Sequence, residues 1–305
     1  MDGWHLDRWA VILEGFLMVA LNALILVSVL RSPQLRERKE VLVLMLMVIS
    51  DMSYGLPTFA SYGYSMYKRL YDVTEGPVSR LECLLTRPYH SFYVLSKQCI
   101  GYSLAYVSCD RFAAVAFYGR YAELGIAYGW TLIGCLLVYM GVGWPLTILI
   151  GHLNEPSGLH SCSHPRVFPD WLFNYTDAAA MAGGVVSVLV YAALVINYNR
   201  FVAAIPRTGT QAQRQEFQSL REVTVAVGII CCFTFVFHVM PFSVVLVAIY
   251  CYLLVRVNSL SNIVVFIWKM KDCRRAILRT LLGCRGAENP NVVTPIGSQR
   301  VAVFA

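Results

Sequence analysis

Charged residues are scarce in this chain. Asp, Glu, Lys and Arg together make up 14% of its 305 residues, against roughly a quarter in an ordinary soluble domain. That scarcity argues against a water-soluble globular fold. Also missing are the patterns that catalysis requires: there is no nucleophile set beside a base and no glycine-rich phosphate loop, so an enzyme is not expected. The spacing of HSCSH (His160 to His164) would suit a metal, but it reads more economically as a loop held by a cysteine bridge. No basic patch interleaved with aromatics occurs, so the net charge of +7 is not a nucleic-acid signal. The first residues, MDGWHLDRWAVILEGF, lack a basic leader region and a small-residue cleavage site, and the first apolar run is expected to be retained as a span. No internal repeat or low-complexity segment is found.

What the chain has in abundance is apolar sequence, 57% of all residues. Spanning helices need about 20 mostly apolar residues, and seven such runs occur, at about 9–30, 40–62, 88–116, 127–151, 177–198, 222–245 and 248–268. The expected fold is an all-α membrane protein, a seven-transmembrane helix bundle with a short amphipathic eighth helix. Residues 1–8 form an outer N-terminus, 9–268 the spanning domain, 269–284 the eighth helix and 285–305 a flexible inner tail.

Lys and Arg in the connecting segments set the orientation. With the N-terminus outside, sixteen of them fall on inner segments, including Arg31, Arg36, Arg38, Lys39, Arg120 and the run Lys269 to Arg285. Six fall outside: Arg8, Lys68, Arg69, Arg80, Arg87 and Arg166. The sequon Asn174-Tyr175-Thr176 agrees, since this topology places it on an outer loop as a glycosylation site. Most of the ten cysteines sit within apolar runs, as Cys99, Cys109, Cys135, Cys231 and Cys232 do, where cysteine behaves as a small hydrophobe. Cys83, Cys162 and Cys251 fall on the outer side.

Polar residues inside spans are functional candidates by default. Asn22 lies in the first run and Asp51 in the second, while Asn258, Ser259 and Asn262 lie in the seventh. Asn258 and Asn262, four apart, share a helix face. Two readings stand: a buried network around Asp51 holding a sodium ion or water, and polar glue between packed helices. The third run ends in LAYVSCDRFAAVAFYGRY, with Asp110 and Arg111 side by side at the close of a hydrophobic helix.

In order and spacing these residues resemble the rhodopsin-like family of G-protein-coupled receptors, over about 22–284. Asn22 and Asp51 resemble the polar residues of its first two helices, and CDRF its DRY motif. Tyr191 in VLVYAALVI resembles the fifth-helix tyrosine, and Phe235 and Pro241 in FVFHVMP resemble the sixth-helix phenylalanine and hinge proline. NSLSNIVVF resembles NSxxNPxxY, and WKMKDCRRAILRTLLGC the eighth helix. The resemblance implies that Asp110 holds Arg111 at rest and that Arg111, once released, meets a heterotrimeric G protein, with Tyr191 part of the same switch. It also implies a disulfide between Cys83 and Cys162, and palmitoylation at Cys284 beside membrane lipid.

The chain departs from the pattern where Val239 stands for the sixth-helix tryptophan and where Ile263 and Phe266 replace the proline and tyrosine of NPxxY. Only 22 residues separate Pro241 from Ile263. These departures are similar to divergent nematode chemoreceptors of the srsx type.

Lys97 lies 14 residues before Arg111, about 21 Å up the helix, at a depth where this family binds small ligands. Arg256 falls where visual pigments carry their retinal lysine, and arginine cannot form that Schiff base. Two inward cations would suit an anionic ligand, with Tyr93, Gln98 and His238 as lining. The rival reading pairs one cation internally, for instance with Glu14 or Asp51. The expected function is a plasma-membrane receptor for an extracellular small molecule or short peptide. The alternatives are a transporter or channel lined by Lys97, Arg256 and Asp51, and a receptor that does not signal.

Overall fold

The computed structural model describes residues 3–73, 78–153, 162, 167–204, 224–225, 227–233, 260–265 and 267–282. Among these residues every regular element is an α-helix. In chain order they are α1 (Gly3–Arg31), α2 (Pro33–Arg36), α3 (Lys39–Leu70), α4 (Arg80–Thr86), α5 (Tyr89–Ala116), α6 (Tyr118–Glu123), α7 (Ile126–Leu153), α8 (Asp170–Ala204) and α9 (Lys271–Leu281). Residues 227–233, 260–265 and 267–269 are helical as well. Among the described residues, four stretches, Arg8–Arg31, Lys39–Leu70, Ile126–Leu153 and Asp170–Leu194, are long and apolar enough to cross a membrane. The described part of the chain is therefore all-helical, with the composition of a membrane protein.

Local chemistry accounts for several helix ends. Ser79 caps α4 by accepting the Glu82 N–H at 3.1 Å, the Ser-x-x-Glu arrangement of a capping box. At the end of α3 the chain turns through Asp72, whose φ is 48°. There the Val73 N–H reaches back to the Lys68 carbonyl at 3.0 Å. This is a Schellman closure, and aspartate tolerates its left-handed residue better than most side chains.

The core lies around the first half of α3, where Val41 through Asp51 are all buried. α1 and α5 pack on α3, α8 packs on α5, and α7 lies against α3 and α5 from outside. α5 carries His90, Lys97, Gln98, Asp110 and Arg111, all buried, and so is the least apolar of the long helices and the most enclosed. α7 is the reverse: Leu137, Val138, Val142 and Leu146 are each more than half exposed, an apolar flank suited to lipid contact. The α5–α8 crossing is very close. A Cβ on Gly101 would come within 2.7 Å of Ala180 Cα, and Gly183 rests against the Gly101 backbone. Small residues permit this approach, and in a membrane dispersion contact of this kind is the main packing force.

α9 buries Cys273, Ala276 and Ile277 against the C-terminal end of α1. It is tied by Ser28 to Thr280 at 3.2 Å and by Arg38 to Asp272 at 2.8 Å. Leu278, Leu281 and Leu282 remain exposed beside Arg275.

Four boundaries differ from the sequence reading. α1 begins at Gly3 instead of near 9, α3 continues eight residues past 62, to Leu70, and α8 begins at Asp170 instead of near 177 and runs to Ala204, six residues past 198. Pro169 and Asp170 supply the start of α8, with an acid favoured in a first helical turn; the polar Asn174, Thr176 and Asp177 concealed it from a hydropathy reading. Asn174 therefore lies on a helix and not on a loop. It is exposed, while the Thr176 of its sequon is buried. Phe235, His238, Pro241, Arg256, Asn258, Ser259, Cys284 and the segment 285–305 lie outside the described residues.

Candidate functional site

At the C-terminal end of α5, Arg111 is fully enclosed and Asp110 nearly so. The Arg111 Nε donates to Asp110 Oδ2 at 2.9 Å, and Nη2 bonds the same oxygen. Nη2 also donates to the Tyr121 hydroxyl at 2.8 Å, which in turn donates to Asp110 Oδ2 at 3.2 Å. Two side chains, Arg111 and Tyr121, thus close on one carboxylate oxygen. Asp110 Oδ1 and Arg111 Nη1 make no close hydrogen bond, although the Tyr128 side chain also interacts with Asp110, so the ions hold each other while part of their hydrogen-bonding capacity stays unused. Of the two options open to an arginine at this depth, reaching for water or pairing, Arg111 pairs.

Tyr121 was the residue without a role in the sequence reading. It sits on α6, ten residues after Arg111, and is held from the other side by Lys39. The Lys39 ammonium donates to the Tyr121 carbonyl and to the Leu124 carbonyl at 2.9 Å. It also lies 4.3 Å from the Tyr121 ring centroid. A cation at the end of a short helix satisfies carbonyls that have no partner within it. Burial raises the Tyr121 phenol above its ordinary range against the opposing pull of Arg111, so it stays a neutral donor. Its one signal in the sequence is a tyrosine close behind the Asp-Arg pair in a short connection between apolar runs.

Nearer the centre, Asn22 of α1, Asp51 of α3 and Asn262 line one cavity together with Ile25, Leu44, Met47, Val48, Ile230 and Ile263. It has about 20 Å³ of space open to the centre of a water molecule, above the 10–15 Å³ or so that one water needs. Asn22 Nδ2 is occupied by the Met18 carbonyl at 2.9 Å, while Asn262 Oδ1 is buried without a partner. Three of the five expected network residues are thus brought together.

In their N-terminal halves, α5 and α8 are laced by polar pairs. Lys97 forms an ion pair with Asp177, a partner that neither sequence reading named. The apolar run puts Asp177 at the very start of the fifth span, but the earlier beginning of α8 carries it two turns into the helix and against α5. Gln98 donates to Thr176 at 3.0 Å and accepts from the Tyr139 hydroxyl at 2.5 Å. Tyr93 and Tyr54 hydroxyls meet at 3.3 Å. Above them Cys83 and Cys162 form a disulfide, packed among Leu84, Val94, Val167, Phe168 and Leu172.

Tyr191 of α8 donates its hydroxyl to the Thr224 carbonyl at 2.5 Å. One turn earlier, Ser187 meets Ser108 of α5 at 2.6 Å and Cys231 at 3.1 Å. No group of His, Cys, Asp and Glu suited to a metal occurs among the described residues. No protein-family model matches the chain, and no curated protein is significantly similar to it.

Proposed function

We propose that this chain is a seven-helix receptor of the plasma membrane, with its N-terminus outside, that binds an extracellular small molecule or short peptide and activates a heterotrimeric G protein. The observation that carries the reading is the enclosed Asp110–Arg111–Tyr121 cluster at the inner end of α5. A buried ion pair with unused donors and acceptors is poised between two arrangements, since outward movement of Arg111 exchanges internal bonds for those of a partner. The cavity of Asn22, Asp51 and Asn262 supports the reading as a place for water or a sodium ion in the bundle's centre. The disulfide supports it as an anchor in an oxidising compartment. The exposed leucines and basic residues of α9 suit a lipid surface.

The ligand would enter between α3, α5 and α8, where Tyr93, Gln98 and Lys97 lie. An anion reaching Lys97 has to displace the Asp177 carboxylate, so a ligand that brings a cation to Asp177 as well as an anion to Lys97 fits better than a simple acid.

The test is nucleotide exchange on purified heterotrimeric G proteins by the receptor in lipid, wild type against Arg111→Ala. Exchange that depends on Arg111 supports the reading. Ion or solute flux without exchange, from folded protein, would favour the transporter reading instead.

A further inference from the structure

We infer that Gly228 is a positioning residue that seats Tyr191 as a latch between α8 and helix 227–233, holding the inner halves of these two helices together in the resting state. Its bearing on signalling rests on the receptor reading above; the latch itself does not.

The argument begins with helix geometry. Side chains on an α-helix lean toward its N-terminus, so the side chain at position i+4 covers the carbonyl at position i. Thr224 and Gly228 stand in that relation. With no side chain at 228, the Thr224 carbonyl lies open to a neighbour, and the Tyr191 hydroxyl takes it at 2.5 Å. The Tyr191 ring fills the notch. A Cβ at position 228 would meet the tyrosine hydroxyl and ring carbons first, with Cε1 only 2.6 Å away. The ring is the stiff part of tyrosine, so it cannot yield without leaving the carbonyl.

The contact belongs to a continuous face. Ser187 and Tyr191 are four apart on α8, and Gly228 and Cys231 are three apart on the facing helix, so each pair shares one side. Ser187 reaches Cys231 at 3.1 Å and Ser108 at 2.6 Å, which stitches α5 into the same junction. Thr224 and Cys231 are themselves buried. Any movement that parts α8 from helix 227–233 at this level has to lift Tyr191 from its seat first. That makes position 228 a determinant of the resting separation through the tyrosine it admits.

The experiment places spin labels at Ile196 and Val225, both exposed, in a background lacking reactive cysteines, and measures their separation in lipid by double electron–electron resonance. Gly228→Ala and Tyr191→Phe are each expected to shift the distances longer, and to raise ligand-independent nucleotide exchange several-fold. Tyr191→Phe keeps the ring's shape and guards against a merely misfolded variant. In a Tyr191→Ala background, Gly228→Ala is expected to add nothing, because its effect passes through the ring. Unchanged distances in Gly228→Ala, or an equal shift with Tyr191 removed, would overturn the inference. If the distances shift as expected but no variant promotes exchange, the latch stands and the receptor reading fails.

Discussion

Lys97 on α5 and Asp177 on α8 neutralise each other inside the helix bundle, with the Lys97 side chain 8% exposed and Asp177 24%. Removing one member of a buried pair strands the other charge at about 3–5 kcal/mol, whereas replacing both by apolar groups is often neutral. Asp177→Ala is therefore expected to destabilise the protein by an amount at the lower end of that range, given its partial exposure. Lys97→Met combined with Asp177→Leu should recover most of the loss. Thermal unfolding of the purified variants measures both, and equal destabilisation by the single and double variants would refute the pairing.

Tyr121→Phe removes the hydroxyl that bonds both Arg111 and Asp110. Hydrogen bonds to charged groups contribute about 1.5–3 kcal/mol each, so the resting cluster should weaken by up to two such bonds. Under the receptor reading, ligand-independent exchange rises in Tyr121→Phe and disappears in Arg111→Ala. Unaltered exchange in Tyr121→Phe would remove the tyrosine from the switch.

The cavity between Asn22, Asp51 and Asn262 yields a cation test. If sodium occupies it, thermal stability rises in sodium chloride relative to choline chloride at equal ionic strength, since a ligand of the folded state stabilises by mass action. Asp51→Asn should abolish the difference. A difference that survives in Asp51→Asn would place the ion elsewhere.

Cys273 is buried under α9, and burial pushes its thiol up to about 12, with Arg38 pulling the other way. From an ordinary value near 9, the thiolate fraction at neutral pH falls roughly a thousandfold. Alkylation at pH 8, followed by mass spectrometry of the labelled peptide, should be slow in the folded protein and fast after denaturation. Because docking favours the neutral thiol, its contribution to α9 docking is complete below about 9 and is lost as pH rises toward about 12. Labelling at pH 8 as fast in folded as in denatured protein would mean that α9 is not held against α1.

Much of this arrangement was legible in the sequence because the signals were local. A run of apolar residues marks a helix wherever it packs, and an asparagine or aspartate within such a run has few places to go but inward. Asn22, Asp51 and Asn262 met for that reason, as did Asp110 and Arg111. What escaped depends on contacts between distant segments. Asp177 looked like a helix end because hydropathy averages over neighbours and does not know which face a polar residue presents. Lys39 counted only as one inner charge, although it clasps Tyr121 across the chain. Gly228 gave no signal at all, since its importance is the space it leaves for a side chain 37 positions earlier.

The disulfide between Cys83 and Cys162 spans 79 positions, and everything in α5, α6 and α7 lies within the covalent ring it closes. The ring is fastened at the N-terminal end of α5, where Leu84 and Val94 pack around it. Toward its C-terminal end the same helix is held by side-chain bonds that can exchange, those among Asp110, Arg111 and Tyr121 and those of Ser108 with Ser187 and Cys231. One end of α5 is thus secured by a covalent bond that only reduction opens, the other by contacts that can be remade one at a time.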